Sequence, residues 1–162
     1  MNQLSKIAEY ANPDVLVTTE WLKHNLDNVI VVESDEDILL YETGHIPGAV
    51  KLDWHTELNH PLRRDYLESE EFAKLMNLKG IGRQDTVVLY GDRSNWWATY
   101  AFWVFKLFGH ENVLLLDGGR NKWIADGGVI TKDKPATTSK DYPVVERHDS
   151  EIRAFRDEVL QH

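Results

Sequence analysis

The sequence predicts an α/β domain around a mainly parallel central sheet flanked by helices, and three observations predict it. Short apolar, β-branched runs recur at Val29–Glu33, Thr86–Tyr90 and Val113–Leu116, each reading as a strand buried on both faces. Stretches with helical spacing separate them, and such alternation builds a parallel sheet between helical layers. Residues 85–119 then read as strand, loop, helix, strand, a unit whose crossover is expected to be parallel and right-handed.

Taken in order, residues 1–14 form a polar extension, read as only partly ordered. Val15–Val17 is a short strand. Thr18 or Thr19 caps a helix over 20–26, with Trp21, Leu22 and Leu26 on one side. After Val29–Glu33, the segment Gly44-His45-Ile46-Pro47-Gly48-Ala49 dictates a tight turn. Val50–Leu52 is the next strand. Residues 53–66 form a polar loop too long to be only a connector. Ser69 caps a helix over 70–78 that turns Phe72, Leu75 and Met76 inward. After Thr86–Tyr90, residues 96–108 are apolar on nearly every side, so the helix they form is expected inside the protein, ending at Gly109. Asp117-Gly118-Gly119 closes the last strand, Asp117 satisfying nearby N–H groups, and a helix carrying Trp123 follows. The domain should span 15–130. Residues 131–150, rich in Lys, Thr, Ser and Asp, read as a linker. Ser150 caps a final helix over 151–162 with Ile152, Phe155, Val159 and Leu160 on one face, which either folds back on the domain or opens a second one that breaks off here.

Composition excludes several functions. Acidic residues number 27 against 18 basic ones, a net charge of −9, which argues against nucleic acid or an anionic membrane as a partner. No apolar run is long enough to span a bilayer, and the first residues lack the apolar core of a signal peptide, so a cytoplasmic protein is expected. With no cysteine, disulfides, thiolate zinc sites and thiol nucleophiles are ruled out. The histidines show no ligand spacing, and no metal or other cofactor is expected.

The stretch most telling for function is Gly91-Asp92-Arg93-Ser94-Asn95. It lies at the carboxyl end of a strand and opens a helix, where free N–H groups and the helix dipole favour an anion. A thiol at its start would have a lowered pKa and act as a nucleophile. The chain places Gly91 there.

The turn 44–49, the strand and loop 87–95, and Leu116-Asp117-Gly118-Gly119 followed by Trp123 together resemble the rhodanese (thiosulfate sulfurtransferase) family, in particular the N-terminal half of its two-domain members. The resemblance covers the whole domain, and residues 152–160 resemble the entry into the family's second domain. It implies a rhodanese-like three-layer fold and a sulfur relay in which a loop cysteine takes the outer sulfur of thiosulfate as a persulfide and passes it to cyanide or another thiophile. In two-domain members that cysteine sits in the C-terminal half. Here the six loop positions are Gly91 to Trp96, without the cysteine, with Ser94 in place of a usual glycine and Trp96 in place of a usual arginine. Trp96 and Trp97 are expected to fill the cradle. The resemblance thus implies a catalytically silent N-terminal domain that forms one wall of an interdomain site. Its implied partners are a second rhodanese domain in cis and, through the whole enzyme, a small sulfur-containing anion.

No residue of this chain is therefore assigned a catalytic role. His45 reads as a structural hydrogen-bonder. Asp92, Arg93 and Ser94 read as a polar turn capped by Ser94 or Asn95, with Arg93 a candidate anion ligand. Asp53, Trp54, Arg63 and Arg64 are either an interface with the partner domain or a solvated loop with Trp54 tucked inward. The alternative function is a free-standing inactive module that binds a protein; a cysteine-based phosphatase relative would need both the cysteine and a longer anion cradle.

Overall fold

The computed structural model describes residues 3–162; Met1 and Asn2, part of the N-terminal extension, lie outside the described residues. The elements are α1 (Gln3–Ile7), β1 (Leu16–Val17), α2 (Thr19–Asn25), β2 (Ile30–Glu33), α3 (Leu40–Thr43), β3 (Val50–Lys51), α4 (Trp54–Glu57), α5 (Ser69–Lys79), β4 (Val87–Tyr90), α6 (Trp96–Leu107), β5 (Val113–Leu116), α7 (Gly119–Ala125), α8 (Asp149–Ile152) and α9 (Arg156–Leu160). The five strands pair in the order β1-β5-β4-β2-β3, every pair parallel.

Strand alternation sorts the interior into two layers. Val32, Val87, Leu89, Val113 and Leu115 face one way, into a core with Phe72 and Met76 of α5 and Ala101, Val104 and Phe105 of α6. Val31, Val88, Tyr90 and Leu116 face the other, against Leu22 of α2, Tyr41 of α3 and Trp123 of α7. β1, β2, β4 and β5 are thus apolar on both faces, as the continuous hydrophobic runs require, while the two-residue edge strand β3 sets Val50 in the core and Lys51 on the other face.

Several elements differ from the sequence-based expectations. The N-terminal extension contains α1, whose Ile7 is buried, and Gln3 donates to Asp117 Oδ2 at 2.8 Å. Asp117 thus takes a side-chain amide. The 53–66 loop contains α4 and closes on itself through an antiparallel bridge between Asn59 and Tyr66. Ser69 is the first residue of α5, with Glu68 at the cap position. α6 is not buried all round: Ala98, Ala101, Val104, Phe105 and Leu107 face the core, while Trp96 is 68% exposed.

The expected terminal helix is two short pieces, α8 and α9, parted by extended backbone at Arg153 and Phe155, and His148, not Ser150, precedes the first turn. The break follows from Arg153, whose guanidinium pairs with Asp65 and Asp149 at 3.1 Å each and lies over the Tyr66 and Phe155 rings. Residues 131–150 run along the domain: Thr131 and His45 exchange backbone bonds at 2.8 Å, and the Tyr142 side chain is buried. His45 bridges this segment to α3, one ring nitrogen 2.8 Å from the Tyr41 carbonyl and the other 2.8 Å from that of Asp133.

Candidate functional site

The loop after β4 lies at the carboxyl end of the sheet and opens α6, as expected. Its backbone is unusual: Arg93, Ser94 and Asn95 have φ of 48°, 56° and 66°, a left-handed run that costs non-glycine residues roughly 1–2 kcal/mol each. Side chains hold it in place. Asn95 Oδ1 accepts the Gly91 amide at 3.0 Å, and Asn95 Nδ2 donates to the Leu116 carbonyl at 2.7 Å, tying the loop to the end of β5. Neither Ser94 nor Asn95 caps α6 through its side chain, a correction to the sequence reading; Asn95 is turned inward because its amide is spent on the loop itself.

Asp92 is likewise turned inward. Its carboxylate accepts the amides of Glu36 at 2.7 Å and Asp37 at 3.2 Å, while its own amide donates to Asp35 Oδ1 at 2.9 Å. The loops after β2 and β4 are therefore clasped together. Where an anion cradle needs N–H groups facing outward, the amides of Gly91 and Asp92 are taken by Asn95 and Asp35.

Gly91 sits where the loops touch. A Cβ built on it would lie 2.1 Å from the Ser34 carbonyl oxygen, so no side chain fits without moving backbone. Arg93 is exposed and pairs with Glu36 at 3.3 Å. Trp96 points to solvent, and Trp97 stacks on Trp54 at 3.4 Å between ring centroids. These indoles do not fill the cradle; the carboxylate and amide clasp closes it. Ser94 makes no hydrogen bond to a histidine among the described residues, so nothing there activates its hydroxyl.

Beneath the loop lies a network that sequence reasoning missed. Glu33, at the end of β2 and 1% exposed, accepts Arg120 Nη1 at 2.8 Å through Oε1 and the Tyr90 hydroxyl through Oε2. The Tyr90 hydroxyl in turn accepts the Ile46 amide at 3.0 Å. Burial first, then the hydrogen bond and charge of Glu33, pushes the Asp35 carboxyl up to about 9, so it is protonated at neutral pH. Burial and Glu33 also raise Tyr90 well above the usual phenol range. The one available signal was an acid ending the apolar run VIVVE.

In the other predicted group, Asp53 caps α4, accepting the His55 and Thr56 amides at 3.0 and 3.3 Å. Trp54 is half-buried against Trp97 and Tyr100. Arg63 pairs with Glu68, and Arg64 is exposed. Both arginines line a cavity of about 400 Å³. The structure thus brings Trp54 against the start of α6 and leaves the arginines at the mouth of a separate hollow. Among the described residues no group of three or more His, Asp or Glu could hold a metal ion, and no helix is long and apolar enough to cross a membrane.

Comparison with known proteins agrees with this architecture. A family model described as a rhodanese-like domain matches residues 18–126. SseA of Mycobacterium tuberculosis, provisionally named a thiosulfate sulfurtransferase, is 58% identical over 156 residues, covering 95% of this chain and 52% of its own length. The thiosulfate sulfurtransferase of Corynebacterium glutamicum is 54% identical over 154 residues, covering 94% and 51%. The chain spans about half the length of these curated relatives. The crystal structure of SseA from Escherichia coli, titled as a 3-mercaptopyruvate sulfotransferase, aligns with a TM-score of 0.80 at 22% identity, covering 91% of this chain and 60% of that one. This last likeness concerns the fold alone.

Proposed function

This chain belongs to the rhodanese-like domain family, and we propose on that premise that it is the N-terminal, non-catalytic domain of a tandem thiosulfate sulfurtransferase. In the whole protein, a cysteine in the second half takes the outer sulfur of thiosulfate and hands it to a thiophile such as cyanide. This domain forms one wall of the site between the halves, with Trp54, Arg63 and Arg64 toward its partner. The reading places residues 15–130 as the silent domain, 131–150 as the link and 151–162 as the entry to the second half.

The observation that carries this is Gly91. The position from which the nucleophile would project is glycine, and the Ser34 carbonyl occupies the space of any side chain there. The clasp of Asp35, Asp92 and Asn95 supports the same reading, since it spends on the fold the amides that would otherwise face an anion. The names and lengths of the relatives supply the reaction class.

The test is thiocyanate formation from thiosulfate and cyanide, by this chain alone and by a protein in which it is followed by a cysteine-containing second half. Turnover only in the longer protein is expected. Turnover by the 162-residue chain alone, or silence in both, would overturn the reading; silence in both would favour a protein-binding module instead.

A further inference from the structure

The cavity between the 59–66 loop, Tyr100 and Arg153 is separate from the Gly91 loop, and the reading above uses its Arg63 and Arg64 only as part of the wall toward the second half, with no ligand assigned to the cavity. Arg63, Arg64 and Arg153 line it, with Tyr66, Tyr100 and Asn59. We propose that it is a docking site for a small tetrahedral sulfur oxyanion, sulfate or thiosulfate, held by Arg64 and Arg153. The choice of a sulfur oxyanion rests on the sulfurtransferase reading; the site itself rests on charge and geometry.

The charges around the cavity do not cancel. Asp65, its one acidic lining residue, is committed: Oδ1 meets Arg153 at 3.1 Å and the Tyr66 amide at 2.8 Å, and Oδ2 meets Arg147 at 3.3 Å. Arg63 is taken by Glu68, and Asp149 serves both Arg147 and Arg153 at 3.1 Å. Arg64 has no ion-pair partner among the described residues. Four guanidinium groups thus face three carboxylates, leaving one cation over on a chain of net charge −9. An exposed arginine without an ion-pair partner beside a pocket is a ready anion ligand, and the guanidinium fork matches two oxygens of a tetrahedral oxyanion.

The frame that presents Arg64 is rigid. The His60 amide donates to the Asp65 carbonyl at 2.8 Å, and the amides of Leu62 and Arg63 both donate to His60 Nδ1 at 3.1 Å. Tyr100 donates to Asn59 Oδ1 at 2.6 Å, fixing the loop to α6. Backbone ordered before a ligand arrives lowers the entropy cost of binding it. The 59–66 loop follows β3, and Trp54 stacks on Trp97 of the helix following β4, so cavity and Gly91 loop share the carboxyl end of the parallel sheet.

The test is an amide NMR titration of the 162-residue chain with sodium sulfate and with sodium thiosulfate, against sodium chloride at matched ionic strength. Saturable shifts at Asn59, Arg64, Tyr66 and Arg153 are expected with the sulfur anions and not with chloride. Arg64→Ala, at an exposed position, should fold normally and weaken binding about tenfold, as loss of one charge-assisted contact does; Arg64→Lys should fall between. Shifts that track ionic strength alone, or binding unchanged in Arg64→Ala, would overturn the proposal. Because the titration reads binding to this chain and not turnover, the two readings fail separately. A longer protein inactive toward thiosulfate would sink the sulfurtransferase reading and leave the cavity's anion binding standing.

Discussion

Arg120 Nη1 meets Glu33 Oε1 at 2.8 Å, both side chains almost wholly buried, at 7% and 0% exposure. The pair joins α7 to the end of β2 beneath the loop that follows β4. Arg120 also donates from its backbone amide to the Gly91 carbonyl at 2.9 Å. One residue thus anchors the floor of the closed loop by both main chain and side chain.

Removing half of such a pair strands the other charge in the interior. Arg120→Met should therefore destabilise the domain by about 3–5 kcal/mol, measured by urea denaturation. Adding Glu33→Gln should recover part of that loss. A double variant no more stable than the single one would show that Glu33 is not the group left stranded.

Asp35 carries a pH signature. Its folded pKa is raised above its unfolded value, so the stability it contributes is fully present below the ordinary carboxylate pKa of roughly 4. That stability is lost as pH rises toward about 9. The groups set against it are Glu33 and Asp92, with Arg120 the nearby cation on Glu33. Asp35→Asn imitates the protonated carboxyl, keeping an acceptor for the Asp92 amide and a donor toward Glu33. It should flatten the decline and exceed the wild type at about pH 8 by about 1 kcal/mol or more. Parallel stability–pH curves for the two proteins would contradict the raised Asp35 carboxyl.

At the amino end of the sheet, His110 Nε2 lies 2.9 Å from the Asp85 carbonyl and Nδ1 lies 2.8 Å from the Tyr142 hydroxyl. Burial first, with Arg83 nearby, holds its pKa below the usual imidazole value. The neutral ring donates to Asp85 and accepts from Tyr142; protonated, it can no longer accept. The folded pKa is depressed, so the stability His110 contributes is complete above about pH 6.5 and lost as pH falls through the folded value. Tyr142→Phe should cost about 1 kcal/mol at neutral pH and shrink the acid-side loss of stability. Limited proteolysis should cut residues 131–150 faster in that variant than in the wild type, and equal rates would mean that Tyr142 does not hold the segment down.

The sheet, its two apolar faces and the helices α2, α5, α6 and α7 between and after its strands were legible because continuous β-branched runs admit few other arrangements. Gly91 was legible as a position without a thiol at the start of the loop after β4. The closure of the loop was not. Asp35, Asp92 and Asn95 read as polar turn residues, and only the three-dimensional meeting of the loops after β2 and β4 shows their polar atoms spent on one another. Trp96 and Trp97 misled for a related reason: bulk in sequence does not say which way a ring turns, and Trp54, more than 40 positions earlier, is what Trp97 stacks on. The break between α8 and α9 was hidden because apolar spacing continued across Arg153, whose two distant carboxylate and aromatic partners decide its conformation.

The central claim is that this loop is closed by its fold and not only by lack of a thiol. Intact-mass analysis of Gly91→Cys after incubation with thiosulfate tests it most directly, with Gly91→Ala as the control for folding. The Ser34 carbonyl in the path of any Cβ predicts that both variants lose about 3 kcal/mol of stability. It also predicts that the folded cysteine variant gains no sulfur atom and makes no thiocyanate. A Gly91→Cys protein of wild-type stability that gains one sulfur from thiosulfate and passes it to cyanide would contradict the account.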